Sequence, residues 1–236
     1  MAEANIKAAE DFIGSFNSIE MELKRLYQRD ERWISFSQLV VSLQRNHSVV
    51  RRYANDLLEF AELRNAIVHS RRDNSLIAYP MEATVLEIKN IAGAILRPPK
   101  VIPMFGRSVF TVNTQARLSE ALSLMAKENI SQIPVMTTNN VIVEVLNGNS
   151  IARWLSKQTT VSPADIIVES IIPEIEVKNN YKFINKFTSV FEAAEVYEKS
   201  LNKGWYADAI FINETGRNGQ TLLGIIVLED IAPYIS

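Results

Sequence analysis

Residues 207–231 read ADAIFINETGRNGQTLLGIIVLEDI, and residues 118–136 read LSEALSLMAKENISQIPVM. In the first string, Ala209–Ile212 and Leu222–Val227 are short apolar, β-like runs on either side of Asn213–Gly219. Asparagine and glycine tolerate the positive φ angles of a hairpin turn, so the string predicts two antiparallel strands. In the second string, Leu118, Ala121 and Met125 recur at helical spacing and Ile133–Met136 is β-like. The two strings are parts of one repeating unit. Leu118, Glu120, Ala121 and Met125 correspond at a shift of 72 to Val190, Glu192, Ala193 and Tyr197. Ile133-Pro134-Val135 corresponds at a shift of 77 to Ile210-Phe211-Ile212. Val145-Leu146 corresponds at 80 to Ile225-Ile226, as do Ile151, Ala152 and Leu155 to Ile231, Ala232 and Ile235. Each unit reads strand, helix, strand, turn, strand, helix. Val109–Val112 and Val141–Leu146 supply the remaining β-like runs.

This order, with these strings, resembles the CBS domain family over roughly residues 101–236, and two such repeats form the pair called a Bateman module. The resemblance implies clefts between the repeats that bind adenosine-containing ligands. The family ends on Gly-hydrophobic-hydrophobic-Thr-x-x-Asp, and here Gly224 and Asp230 match while Val227 stands where Thr or Ser is usual. By that resemblance Asp230 accepts hydrogen bonds from the ribose hydroxyls, Val227 leaves a phosphate contact missing, and the strand Ile210, Phe211 and Ile212 flanks the purine. A carboxylate can accept from both hydroxyls of a cis-diol, so the chemistry suits the residue. Asp230 is also a residue type that caps helices. In the first repeat the matching stretch is Glu144-Val145-Leu146-Asn147-Gly148-Asn149-Ser150, with Glu for Gly, Asn for Thr and Ser for Asp. At most one cleft, the one containing Asp230, is therefore expected to bind. AMP, ATP, a cyclic dinucleotide and S-adenosylmethionine all carry adenosine, and the sequence does not choose among them.

Toward the N-terminus the texture changes at Leu96-Arg97-Pro98-Pro99-Lys100, where two prolines end a helix. Before them Phe12, Phe16, Ile19, Leu23 and Leu26 form an amphipathic stripe. Leu39, Val40 and Leu43, then Leu57, Leu58, Ala61, Leu63 and Ile67, then Met81 to Leu96 give further apolar faces. No alternating strand pattern intervenes, so a bundle of about four helices is expected. The whole is α+β and multidomain: an all-α bundle over 1–97, then CBS-like repeats over 98–160 and 161–236.

Glu62-Leu63-Arg64-Asn65-Ala66-Ile67-Val68-His69-Ser70, followed by Ile77-Ala78-Tyr79-Pro80, resembles the signature of HEPN domains, helical bundles found in RNA-cleaving proteins. The resemblance implies Arg64, Asn65 and His69 as catalytic residues, in a site shared across a homodimer. A neutral imidazole can take the proton of a 2′-hydroxyl, and an arginine can stabilise the charge that develops on the phosphate, without a metal. On a straight helix five residues turn about 500°, which sets Arg64 and His69 about 140° apart while Asn65 and His69 share a face. Alternatively, Arg64 pairs with Glu59 or Glu62 and His69 caps the helix end.

Composition adds exclusions. The chain has no cysteine, which removes disulfides and thiolate chemistry. It carries 25 basic and 27 acidic residues, so overall charge does not predict nucleic-acid binding, although Arg45, Arg51, Arg52, Arg64, Arg71, Arg72, His47 and His69 fall in one stretch. No signal peptide or membrane span is legible, and a cytoplasmic location is expected. Three functions remain open: a nucleotide-responsive regulator acting on the helical half, a nucleotide-gated endoribonuclease, and a dimerisation protein that takes no ligand.

Overall fold

The apolar stripe of the first helix does what its spacing predicts. In the computed structural model, Phe12, Phe16, Ile19 and Leu23 lie on one face of α1 (Ala2–Leu26) and all four are buried. Phe12 meets Phe60 edge to face with ring centroids 5.7 Å apart, and Phe16 stacks at a tilt on Phe36 at 4.3 Å. The structure describes residues 2–27, 33–69, 71–72, 75–76, 78–201, 204 and 207–235, without the side chains of 2, 3, 69, 71, 72, 75 and 76. The described residues fall into two compact units, 1–99 and 100–235.

The first unit holds α1, α2 (Phe36–Leu43), α3 (Ser48–Arg52), α4 (Ala54–His69) and α5 (Glu82–Leu96). Ser35 closes the start of α2 through a reciprocal capping box with Gln38. Five helices are present among the described residues where about four are expected, because the apolar pair Val49 and Val50 buries a short helix of its own. A two-residue hairpin, β1 (Arg71–Arg72) with β2 (Ser75–Leu76), also stands where no strand is expected. Leu39, Val40, Leu43, Leu57, Ala61 and Ile67 are buried; Leu58 and Leu63 are half-buried.

The second unit begins with α6 (Val101–Met104) and contains two three-stranded sheets. The first is β3 (Val112–Asn113), β4 (Gln132–Met136) and β5 (Ile142–Asn147), with α7 (Leu118–Lys127) and α8 (Gly148–Leu155). The second is β6 (Tyr181–Asn185), β7 (Ala209–Asn213) and β8 (Gly224–Ile226), with α9 (Val190–Leu201) and α10 (Leu228–Ile231). In each sheet the first pairing is parallel and the second antiparallel. The sequence shifts carry over pair for pair. Ile133↔Leu146 and Pro134↔Val145 in the first sheet become Ile210↔Ile226 and Phe211↔Ile225 in the second. Val112↔Val135 likewise becomes Ile184↔Ile212. In the loop between β7 and β8, Gly216 and Gly219 take positive φ, 75° and 85°.

Each repeat is finished by the segment that leads into the other. Val101, Ile102 and Phe105 precede the first repeat but pack in the core of the second, among Val190, Ala193, Tyr197, Ile210, Ile226 and Ile231. Bridges Lys100↔Ser189 and Gly106↔Gly224 fix that docking. Val168 and Ile171 precede the second repeat and complete the core of the first, with the bridge Arg117↔Ile167. A third core, Ile142 and Val145 against Ala209 and Phe211, joins the two sheets.

Candidate ligand-binding site

Between the repeats lies a cavity of about 460 Å³, within the roughly 300–1,000 Å³ range typical of small-molecule sites. The chain approaching β3 supplies Arg107, Ser108, Val109 and Phe110; β4 and the loop before it supply Ile130, Gln132 and Pro134. The second repeat supplies Ala207 and Asp208 at the start of β7, Ile225 on β8, and Val227, Leu228 and Glu229 at the start of α10. The walls are thus largely apolar with a few polar groups, as a site for an amphipathic small molecule requires.

Asp230 stands beside this wall, one residue beyond Glu229. Its Oδ2 accepts from the Val227 N–H at 3.0 Å. Arg107 clamps it from the leading segment, Nη1 to Oδ1 at 3.2 Å and Nη2 to Oδ2 at 2.5 Å. Such a two-pronged guanidinium–carboxylate contact is stronger than a single hydrogen bond. The Asp230 side chain is 21% exposed and that of Arg107 45%. Asp230 therefore does cap α10, but from the third position of the helix; the N-cap residue is Val227, which has no side-chain oxygen to give.

The other predicted positions sort differently. Ile210, Phe211 and Ile212 are fully buried and do not line the cavity, because the alternate faces of β7 are consumed by the second-repeat core and the inter-sheet core. Half-buried Val109, Ile130, Ile225 and Val227, together with buried Pro134, are apolar walls instead. Gly224 does not line it either. A Cβ there would come within 2.2 Å of the Phe105 carbonyl oxygen, so glycine is what admits the segment that carries Arg107.

Asp208, unread in the sequence, lines the cavity with both backbone groups committed. Its N–H donates to the Asn180 carbonyl at 2.8 Å, and its carbonyl accepts from Gln132 Nε2 at 2.6 Å. Burial pushes its carboxyl up to about 6; a hydrogen bond from the Asn180 side chain works against that, and the charge of Glu144 adds to it. Beneath, the Tyr197 hydroxyl donates to the Ile226 carbonyl at 2.9 Å, and burial pushes that phenol far above its usual range.

The pseudo-equivalent place in the first repeat is built shut. Glu144 is 5% exposed and its Oε1 accepts the Asn179 N–H at 2.8 Å, holding the segment that leads into the second repeat. Asn147 and Ser150 form a complete capping box: Asn147 Oδ1 accepts from Ser150 N at 2.9 Å and Ser150 Oγ from Asn147 N at 3.2 Å. Ser150 is 1% exposed.

In the helical unit, α4 ends at His69, whose side chain lies outside the described residues, as do Ser70 and Ile77 of the same motif. Arg64 Nη1 donates to its neighbour Asn65 at 3.4 Å, and Asn65 is exposed. Among the described residues, no cluster of three or more His, Asp or Glu side chains could hold a metal ion, and no helix is long and apolar enough to cross a membrane.

Comparison with known proteins finds one family model that matches part of the chain and a set of similar solved structures. Residues 104–157 match the family model of the CBS domain, so the match falls on the first repeat. No curated protein matches the chain. Among solved structures, a CBS-domain-containing protein from Agrobacterium tumefaciens is 16% identical over 54% of this chain and 89% of its own, with a TM-score of 0.40. A CBS-domain-containing protein from Kribbella flavida is 14% identical over 57% of this chain and 97% of its own, at 0.44. A CBS domain pair solved in complex with 5′-methylthioadenosine and S-adenosyl-L-methionine is 18% identical over 58% of this chain and 94% of its own, at 0.43.

Proposed function

We propose that residues 100–235 are a sensor that binds an adenine nucleotide in the cavity beside Asp230, and that occupancy controls the HEPN-like helical unit of a homodimer. The observation that carries this reading is the cavity itself. It is lined by both repeats, its walls are apolar enough for a purine, and a carboxylate stands at the position where the CBS resemblance puts the ribose. The segment bearing Arg107 continues directly into Pro98-Pro99, which leads to the helical unit. A ligand that favours one arrangement of that segment thereby changes what the linker presents, which is all that coupling requires.

The test is a melting series with AMP, ATP, a cyclic di-adenosine nucleotide and S-adenosylmethionine, each at millimolar concentration. A ligand present at a hundred times its Kd adds about 2.7 kcal/mol of stability. A rise in Tm with at least one of the four is expected; none with any would leave the dimerisation reading in its place. A ribonuclease activity of the helical unit is the second reading, favoured by the ending of α4 at His69 with Arg64 and Asn65 touching one turn earlier. It requires RNA cleavage that survives EDTA and is lost, by about 10²-fold or more, in His69→Ala.

A further inference from the structure

We infer that Arg107 is an exchangeable counter-ion of the Asp230 carboxylate: it gives the carboxylate up to the ribose and takes the ligand's phosphate, so that the site selects phosphorylated adenosine over adenosine. This rests on the ribose position proposed for Asp230.

The argument is one of capacity. An ionised carboxylate offers about four lone-pair positions. Arg107 occupies one on each oxygen of Asp230, and the Val227 N–H occupies another on Oδ2. What remains is about one position, and a ribose cis-diol brings two donors. The Val227 contact is a backbone bond of the helix cap and stays. Arg107 is a long side chain, nearly half exposed, reaching 123 positions across the chain, and is the partner that can leave.

Where it goes follows from charge. Among the described residues lining the cavity, Arg107 is the cation, and Asp208 and Glu229 are acids. A phosphate entering the cavity meets repulsion from those carboxyls unless the freed guanidinium turns to it. Guanidinium suits that task, because its fork matches phosphate oxygens as well as it matches a carboxylate. The missing hydroxyl at Val227 makes the same demand from the other side. For a nucleotide the exchange conserves ion pairing: Arg107 loses Asp230 and gains phosphate. For adenosine it does not, since the arginine must be displaced with nothing offered in return.

The consequence is a crossed effect of one substitution. Arg107→Ala should bind adenosine about tenfold more tightly than the wild type does, because no clamp has to open, and AMP about tenfold more weakly, because no cation meets the phosphate. Calorimetric titration of adenosine and of AMP into the full-length wild type, Arg107→Ala and Arg107→Lys reads this directly. Arg107→Lys keeps the charge without the fork, should retain part of the preference for AMP, and serves if the alanine variant does not fold. Adenosine and AMP moving in the same direction in the folded variant would overturn the exchange while leaving nucleotide binding intact. Failure of both ligands to bind wild type and variants alike would overturn the exchange together with the ribose position beneath it.

Discussion

The two repeats of the second unit are the same object built twice and finished in opposite ways. Their strand registers superpose pair for pair, and each takes its last core residues from the other's leading segment. At the end of the third strand they part. In the first repeat Glu144 fills the glycine position and binds the incoming backbone with its side chain, and Asn147 and Ser150 satisfy one another. In the second repeat Gly224 lets the incoming backbone in directly, Val227 offers no side-chain oxygen, and Asp230 is left with a carboxylate facing outward to Arg107. Polar groups that pair among themselves stabilise a fold and recognise nothing. Of the two endings, the second is the one that leaves a partly exposed carboxylate paired with an exposed arginine.

The largest expected effect tests that contrast on binding. If Asp230 accepts two ribose hydrogen bonds, as proposed, Asp230→Asn removes the charge from that acceptor. At about 1.5 kcal/mol for each bond to a charged group, adenine-nucleotide affinity should fall on the order of 10²-fold by calorimetry. Ser150→Ala, at the matching place, should leave affinity within about twofold and cost about 1 kcal/mol of stability through its lost cap. Comparable losses of affinity in the two variants would erase the distinction drawn between the clefts.

A somewhat smaller effect tests how the leading segments dock. Gly224→Ala places a methyl where the Phe105 carbonyl now lies 2.2 Å from the ideal Cβ position. Overpacking of this kind costs about 1–3 kcal/mol. Glu144→Ala has the opposite fault, removing the acceptor of the Asn179 N–H, and should cost about 1 kcal/mol because Asn179 is exposed and its N–H can turn to water. Chemical denaturation should show both losses, but only Gly224→Ala should also weaken nucleotide binding, since only that segment carries Arg107. If Glu144→Ala weakened binding as strongly, the first ending would be part of the site.

The repeat made most of this unit legible, because burial enforces period and spacing, and those survive as apolar residues at fixed shifts. The repeat calls for a strand where β6 stands, but its position was not legible: Lys182 and Asn185 interrupt the run Tyr181–Asn185, whose side chains are at best half covered. The apolarity that marked Ile210, Phe211 and Ile212 as purine neighbours is what commits them to the core, whereas cavity walls are drawn from residues that keep some exposure, such as Val109, Ile130 and Ile225. Gly224 could be singled out by resemblance but not explained, since its reason is a carbonyl 119 positions earlier in the chain. Arg107 carried no signal at all. Its role depends on the exchange of leading segments between repeats, and no local pattern encodes a contact across 123 positions. In the helical half, periodicity gave the stripes, but a short hairpin of two-residue strands leaves no period to read.

The smallest effect concerns Asp208, whose counterpart in the first repeat, at the shift of 77, is Ser131. Only the second repeat places a carboxyl there. Facing it are the Asn180 side chain and Glu144, with Gln132 on its backbone carbonyl, Tyr197 below, and Arg107 and Glu229 along the same cavity. Its carboxyl is raised from 3.8 to about 6 in the folded chain, so folding favours the protonated form. The stability this supplies is fully present below about pH 4 and is lost as pH rises through about 6. A shift of about two units corresponds to at most about 3 kcal/mol, and screening of a carboxyl that remains partly open to solvent reduces the expected size to about 1 kcal/mol. Between pH 4 and pH 7 the wild type should therefore lose most of that relative to Asp208→Asn, which has no proton to release. Denaturation curves at the two pH values for both proteins measure the difference. Parallel behaviour of the two would mean that the carboxyl is hydrated like any surface acid.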